Sequence, residues 1–351
     1  MPAGHAPLSS SAVKRQAEAC GFDLCGVAPA AAHPELQYLR EWLDAGYAGE
    51  MHYLQRSADR RMDVTQVLPS ARSVIVFGTI YNTDQPYSTE VADPGRAALA
   101  RYAWGDDYHV VIQARLDRMM EWLRHEAGEA LEARSYVDTG PVQERVFAQY
   151  AGLGWIGKNS CLINEERGSF LFLSEIICNL ELAPDAPGLD QCGSCTACLD
   201  ACPTGALTAP RALDSRRCLS YLTIENKGEI PVEQRPLIGA HAYGCDICQE
   251  VCPYNLAPAV ATDRAWAARP GLDQATLLDL WQRSDDDLRA ILKGSAMKRA
   301  GVRRLRRNLA VAIGNAGDPA AIEALTSRHA PTAEDPLVEE HVRWAVGVLG
   351  G

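Results

Sequence analysis

The alternation of hydrophobic and polar residues predicts that the first half of the chain mixes strands and helices. The run Ser73–Tyr81 is rich in β-branched and aromatic residues and predicts a buried strand, and Phe170–Ile177 predicts a second one. Between them, apolar residues recur at helical spacing over 108–127, which predicts an amphipathic helix that packs on the core. We therefore expect residues 1–185 to form an α/β domain.

The rest of the chain divides into a cysteine-rich segment and a helical segment. The linker Ala183–Gly188 leads into 186–262, where cysteine is dense, and no cysteine follows Pro258. Short amphipathic helices fill 263–351 in a pattern typical of HEAT-like or armadillo-like hairpins, with a plain helical bundle as the alternative. The sequence thus predicts an α+β protein of three domains. The predicted C-terminal helices are Thr276–Trp281, Asp285–Leu292, Val302–Gly314, Pro319–Ser327 and Leu337–Val348.

Composition and charge narrow the class of protein. The 351 residues are 47% hydrophobic, and no apolar run approaches the roughly 18 residues of a membrane span. The N-terminal residues lack the pattern of a secretory signal, so we expect a cytoplasmic monomer without a membrane partner. The net charge of −11 argues against nonspecific binding of nucleic acid. Six cations nevertheless fall within 298–307, against this overall balance.

Eight of the 12 cysteines form motifs that are typical of iron-sulfur proteins. The motif C-x2-C-x2-C-x3-C-P covers 192–203, the shorter C-x2-C-x3-C-P covers 245–253, and Cys218 lies alone between them. In ferredoxin-like chains the last cysteine of each motif binds the other cluster. This rule predicts two 4Fe-4S clusters, one held by Cys192, Cys195, Cys198 and Cys252, the other by Cys202, Cys218, Cys245 and Cys248.

Structural zinc is the alternative for these cysteines. Zinc sites usually combine two separated C-x2-C pairs or use histidines, and neither motif has that form. A reducing compartment also favours metal or redox roles for clustered cysteines over disulfides. The remaining cysteines lack ligand spacing, and we expect small core residues at Cys20, Cys25, Cys161 and Cys178.

An iron-sulfur relay does not transform a substrate by itself, so the chemistry must lie elsewhere in the chain. No G-x-G-x-x-G motif follows a strand and no G-x-x-x-x-G-K-[ST] motif occurs, which argues against a Rossmann cofactor or a P-loop nucleotide. The glycine-rich stretch 152–160 offers backbone donors for a large polar cofactor. The alternative is a plain electron carrier whose first domain only docks a partner.

Five segments carry a resemblance to a known family. They are RYAWGDDYH, AGLGWIGKNS, ACPTGAL, CLSYLTIENKGEIP and YGCDICQEVCPYN, and in this order they resemble epoxyqueuosine reductases, the cobalamin-dependent enzymes of tRNA queuosine synthesis. The resemblance covers nearly the whole chain. It implies base-off cob(II)alamin in the first domain, two 4Fe-4S clusters that reduce it and a HEAT-like tail that binds tRNA. A flavodoxin or ferredoxin is a plausible external electron donor.

The implied reaction removes the epoxide oxygen of epoxyqueuosine at the tRNA wobble position and gives queuosine and water. By position, Asp138 matches the family's proton donor. An aspartate with an ordinary pKa of about 3.9 is ionised at neutral pH, so this role requires burial against the corrin or another apolar wall. The alternative is that Asp138 caps a helix over 141–151, which Pro141 at a first helical position predicts.

The resemblance also suggests residues that contact the cofactor and the RNA. The candidates for holding cobalamin are Arg61, Arg101, Tyr102, Asp138, Lys158, Asn159, Ser160, Ser220, Thr223 and Asn226. The candidates for tRNA contact, with a solvated charged face as the alternative, are Lys298, Arg299, Arg303, Arg304, Arg306 and Arg307.

The chain departs from the family pattern at two places. Thr139 and Gly140 stand where serine and alanine are usual, and Val64 stands where proline is common. Neither change removes a titratable group. A corrinoid reductive dehalogenase is the rival enzyme class, and such enzymes typically carry a twin-arginine export signal that this sequence lacks.

Overall fold

Helices and mostly short strands alternate along the protein. The structure, a computed structural model, describes residues 8–272, 274–327 and 335–351. The strands are β1 (Leu24–Pro29), β2 (Ser73–Ile80), β3 (Ala98–Leu99), β4 (Ala133–Tyr136), β5 (Trp155–Ile156), β6 (Leu162–Ile163), β7 (Leu171–Cys178), β8 (Leu207–Ala209), β9 (Ala212–Leu213) and β10 (His241–Tyr243). The α-helices are α1 (Ser10–Ala19), α2 (Tyr38–Asp44), α3 (His52–Arg56), α4 (Ala58–Met62), α5 (Tyr108–Ala127), α6 (Glu144–Tyr150), α7 (Ala197–Asp200), α8 (Leu219–Ile224), α9 (Ile247–Glu250), α10 (Leu277–Gln282), α11 (Asp285–Leu292), α12 (Gly301–Ala316), α13 (Ala321–Thr326) and α14 (Pro336–Gly350).

The two longest strands form the centre of an antiparallel sheet with the order β1-β2-β7-β4. All of β2 is buried, and its side chains alternate between faces. Ile75 and Phe77 pack in the core beside α5, whereas Val74 and Val76 pack in the core beside α6. Both predicted strands are confirmed to within one residue at each end, and the helix over 108–127 is confirmed as predicted.

Helix α5 begins where the N-terminal part of the chain contacts the C-terminal helical part. The side chain of Asp107 caps the helix by accepting the backbone N–H of His109, and the Asp107 N–H donates to the carbonyl of Gly294. The Asp107 carboxylate also forms a 2.5 Å ion pair with Lys298. The start of this helix therefore ties the sheet to the C-terminal helices.

Helix α6 begins later than the sequence predicts. Its first residue is Glu144, so the prediction of a helix that starts at Pro141 is wrong. Asp138 has a left-handed φ of 56°, and the chain then turns back onto β4. Gly140 permits this close turn, because a Cβ there would lie 2.5 Å from the ring of Tyr136.

One core joins all three segments of the chain. Leu99, Tyr243, Leu288 and Leu309 belong to the same buried cluster, and β3 pairs in parallel with β10. The domain boundaries at 185/186 and 262/263 stay predictions.

The five predicted C-terminal helices are confirmed to within two residues at each end. The side chains of Thr276, Ser284 and Asp335 cap α10, α11 and α14, which explains where these helices start. Helix α12 packs against α10 and α14. The HEAT-like assignment stays a prediction. No helix within the described ranges is both long and apolar enough to span a bilayer.

Candidate active site and iron-sulfur region

Five cysteines line one cavity of about 320 Å³, and four of them are Cys202, Cys218, Cys245 and Cys248. These are the four thiols that the crossed-motif rule assigns to one cluster. Within the described ranges, no three His, Cys, Asp or Glu side chains converge on a point that suits a single metal ion.

The other predicted cluster residues gather beside Trp155. Cys192 and Cys252 pack against this side chain, and the indole N–H donates to the Cys192 sulfur at 3.5 Å. Burial raises the pKa of Cys252 to about 11, and the nearby thiols of Cys192, Cys198 and Cys195 contribute to the rise. These four residues therefore form a second group of neighbouring thiols.

Lys158 supports the first cysteine loop. Its Nζ donates to the carbonyl oxygens of Gly193 at 2.7 Å and Cys195 at 2.8 Å. The ammonium therefore supports this cysteine loop, and a contact between Lys158 and cobalamin stays a prediction.

The cavity wall also contains four of the predicted cofactor residues, which are Tyr102, Asn159, Ser160 and Ser220. Ser160 has a φ of 64°, and among the described residues its buried Oγ has no hydrogen-bond partner. Asn159 donates to the carbonyl of Cys248 at 3.0 Å, which places this stretch directly against the second cysteine motif. A buried hydroxyl without a partner costs free energy, so this wall fits a ligand with polar groups such as the amides of a corrin.

Three predicted cofactor contacts also have structural roles. The Arg101 side chain is buried, and its guanidinium donates to backbone carbonyls of the loop 83–86. Thr223 is also buried, and its hydroxyl donates to the carbonyl of Leu219 at 2.7 Å. The Asn226 amide closes a local turn. That these side chains also contact cobalamin stays a prediction.

Cys161 lies in the cavity, not in the core as the sequence suggested. A hydrogen bond with Cys248 lowers the pKa of the Cys161 thiol to about 7, although burial opposes the change. Cys20 and Cys178 are buried core residues as predicted, and Cys25 is half-buried. The sequence did contain a clue to this position, because Cys161 directly follows Asn159 and Ser160, which also line the cavity.

The candidate acid, Asp138, belongs to a chain of hydrogen-bonded groups. Its Oδ2 lies 3.2 Å from Nε2 of His109, whose Nδ1 lies 2.7 Å from Oδ1 of Asp107. The Asp138 side chain is 58% exposed and makes no cap contact with α6, so the capping alternative is wrong. Beneath the same loop, Arg61 donates to the carbonyl of Val142 at 2.9 Å.

The pKa of Asp138 differs from the sequence-based expectation. Partial burial of the carboxyl raises its pKa, but the hydrogen bond and positive charge of His109 outweigh burial, and the pKa is lowered. Burial opposes protonation of His109, yet the hydrogen bonds to Asp138 and Asp107 raise the pKa of the imidazole. The two shifts therefore favour His109 over Asp138 as the residue that carries a proton shared by this pair.

Two acidic residues beside Asp138 were also missed. Glu144 accepts the backbone N–H of Asp138 at 2.6 Å, and Glu175 lies fully buried in β7. Glu175 could have been found from the sequence, because a charged residue inside an apolar strand run is rarely buried without a role. His109 gave a weaker signal, namely its position two residues after a strong helix cap.

The basic run at the start of α12 separates into exposed and buried cations. Lys298, Arg299 and Arg303 are more than half exposed, although each pairs with a carboxylate. Arg304 is half-buried and donates to the carbonyls of Ala300 and Ile224.

The prediction of tRNA contact is wrong for Arg306 and Arg307, which are 2% and 0% exposed. Arg306 pairs with Asp285 and donates to the carbonyl of Trp281. Arg307 donates to the carbonyls of Leu222, Asn226 and Gly228.

Comparison with known proteins agrees with this geometry. Residues 191–255 match the family model described as 4Fe-4S double cluster binding domain, and 61–139 match the one described as epoxyqueuosine reductase QueG, DUF1730. The epoxyqueuosine reductase of Pseudomonas aeruginosa is 40% identical over 98% of this chain and 95% of its own length. The Escherichia coli epoxyqueuosine reductase is 38% identical over 93% of this chain and 86% of its own length.

Solved structures give the same result. An epoxyqueuosine reductase in complex with an epoxyqueuosine-modified tRNA-Tyr stem loop superposes with a TM-score of 0.87 at 32% identity, covering 97% of this chain and 90% of that one. A Bacillus subtilis epoxyqueuosine reductase, solved with its catalytic aspartate loop swung out of the active site, has a TM-score of 0.86 at 31% identity over 97% and 90%. The chain is therefore an oxidoreductase that belongs to the epoxyqueuosine reductase family.

Proposed function

We propose that this protein reduces epoxyqueuosine in tRNA to queuosine, with cobalamin as the reducing cofactor and Asp138 as the proton donor. The observation that carries the proposal is the shared cavity, in which four cluster thiols and the polar wall of Tyr102, Asn159 and Ser160 face the same space. A cofactor in that space would receive electrons across one wall without a further carrier.

The proposed cluster ligands follow the two groups of neighbouring thiols. Cys192, Cys195, Cys198 and Cys252 hold one 4Fe-4S cluster, and Cys202, Cys218, Cys245 and Cys248 hold the other. When bound, the clusters and base-off cobalamin supply the two electrons that the reaction consumes, one at a time. An external low-potential carrier such as flavodoxin or ferredoxin would refill the clusters.

The protein's own residues handle the protons. Conversion of the epoxide to an alkene and water breaks two C–O bonds and consumes two electrons and two protons. We assign delivery of a proton to the departing oxygen to Asp138, which is exposed at the end of its loop. His109 carries that proton and passes it to Asp138, with which it is hydrogen-bonded at 3.2 Å. Asp107 fixes the ring by holding the other nitrogen.

The exposed cations Lys298, Arg299 and Arg303 are the proposed tRNA contacts, on helices that we propose to be HEAT-like. Arg299 and Arg303 pair with the partly exposed carboxylates of Glu225 and Asp335, and RNA phosphates can replace such weak pairs. The partner of Lys298 is the buried Asp107, so an RNA phosphate would bind Lys298 beside this ion pair. A tRNA substrate also implies that the protein acts in the cytoplasm.

The test is nucleoside analysis of epoxyqueuosine-containing tRNA after anaerobic incubation with the reconstituted protein and a low-potential reductant. We expect queuosine to form only when cobalamin is added, and not with a Cys218→Ala variant. Retention of iron without cobalamin-dependent turnover would instead favour a plain electron carrier. Cobalamin-independent turnover would also contradict the proposal.

A further inference from the structure

The carboxyl groups of Glu144 and Glu175 lie together beneath the Asp138 loop. Residues alternate in direction along β7, and Leu173 and Ile177 pack in the core beside α6, so Glu175 points to the same face. Glu144 is the first residue of α6 and meets it there. The pair thus connects the centre of the sheet to the start of this helix.

A proton is needed to hold this pair together. Glu175 is 0% exposed, and no hydrogen-bond donor in the described part of the chain reaches either of its side-chain oxygens. Two carboxyl groups can form a hydrogen bond only if one of them carries a proton. Burial raises the pKa of Glu144 to about 8, and burial followed by the charge of Glu144 raises the pKa of Glu175 as well.

The charged groups around the pair do not neutralise it. Asp138 faces it from the loop, Arg61 from α4 and Arg145 from α6. The Arg61 guanidinium donates to Ser57 and to the carbonyl of Val142, and so bonds neither glutamate. Asp138 adds negative charge. A shared proton is therefore the means by which two buried acids remain adjacent.

The pair acts on the loop through the backbone. Glu144 Oε1 accepts the N–H of Asp138 at 2.6 Å. Asp138 is held at a φ of 56°, a left-handed conformation that is unfavourable for residues other than glycine. The Glu144 bond thus offsets local strain at the residue assigned as proton donor.

We propose that Glu144 and Glu175 form a proton-sharing carboxyl pair that positions the Asp138 loop for catalysis and releases it when the shared proton is lost. This inference rests on the proposed role of Asp138. Both glutamates are positioning residues, because the pair reaches Asp138 only through its backbone N–H. Burial raises the pKa of Glu144 to about 8 and the pKa of Glu175 well above its ordinary value, so the pair keeps a proton at pH 8 and repels itself only at a higher pH, where both carboxyls are ionised.

The test compares pH profiles of steady-state queuosine formation. For the wild-type enzyme we expect kcat to fall at alkaline pH, above the Glu144 pKa of about 8, when the last proton of the pair is lost. Glu175→Gln replaces the shared proton with a permanent amide donor, so activity at pH 7 should be retained and the alkaline fall should be lost. Glu144→Ala removes the acceptor and should lower kcat by about 100-fold with an unchanged KM for tRNA. The exposed Glu166→Gln variant is the matched control and should keep the wild-type profile.

Infrared spectroscopy of protein without substrate tests the pair independently of activity. The wild type should show a carboxylic-acid C=O band that persists above pH 8 and disappears only at a higher pH, and Glu175→Gln should lack this band above pH 8. An unchanged band and pH profile in Glu175→Gln would overturn the inference. If the wild type makes no queuosine at any pH, the proposed function fails, whereas the infrared result still decides whether the pair exists.

Discussion

Arg307 offers the sharpest test of which cations serve structure and which serve RNA. Its guanidinium is fully buried and donates to the carbonyls of Leu222 at 2.6 Å, Asn226 at 2.9 Å and Gly228 at 2.5 Å. These bonds join α12 to α8 and the turn after it, next to the cysteine cavity. Arg307→Met keeps an apolar stem of similar length but leaves all three carbonyls without this donor.

The expected loss of stability follows from the three carbonyl groups that lose their donor. A buried acceptor left unpaired costs about 1–3 kcal/mol, and relief from burying a cation returns part of the total, so we expect a net loss of roughly 3 kcal/mol. For a chain of 351 residues the loss corresponds to a fall in Tm of about 4 °C. Circular dichroism of the reconstituted protein measures it.

Arg303→Met is the matched control, because the Arg303 side chain is 58% exposed and pairs with Asp335 at the surface. Its Tm should change by no more than about 2 °C, since surface ion pairs contribute about 0–1 kcal/mol. Its tRNA affinity should fall, with a salt slope smaller by about one. If Arg307→Met instead weakens tRNA binding at unchanged Tm, the structural assignment of Arg307 is refuted.

Three further changes test other parts of the site. Lys158→Met removes the donor that holds the first cysteine loop. Iron content in a colorimetric assay should therefore fall from about eight towards about four atoms per chain, and full iron retention would contradict this role of Lys158. His109→Gln should slow queuosine formation by about 100-fold with cobalamin affinity unchanged. Because the pKa of His109 is raised, its contribution to the rate should be present at low pH and decline as the pH rises through that pKa. An unaltered rate and pH profile in His109→Gln would exclude the transfer of a proton from His109 to Asp138. Gly140→Ala should lower kcat by displacing the Asp138 loop, since its Cβ would meet the ring of Tyr136, and a wild-type rate would show that the loop tolerates the clash.

The sequence predicted the elements whose own pattern determines them. The strand at Ser73–Ile80 and the helix at Tyr108–Ala127 follow from a continuous apolar run and from helical periodicity, which survive in any compact arrangement. The two groups of neighbouring thiols were predicted from cysteine spacing and the crossing rule, with Cys218 added to complete a set of four.

The remaining features depend on tertiary contacts. Nothing near Arg307 in the sequence shows that distant carbonyls will surround its guanidinium, and a run of cations is usually exposed. Pro141 has the residue type of a helix start, but the left-handed turn at Asp138 delays the helix to Glu144. The lowered pKa of Asp138 depends on His109, which lies 29 residues away along the chain.

Electrons are assigned to the clusters and cobalamin, and the proton to Asp138, and one measurement tests this division directly. Reconstituted wild type and Asp138→Asn are reduced anaerobically in the presence of the epoxyqueuosine-modified stem loop, and reduction of bound cobalamin is followed by absorbance while queuosine is quantified. We predict equal cobalamin reduction in both proteins, with queuosine formation slower by about 10²- to 10⁴-fold in the variant. Equal rates of queuosine formation would contradict the account.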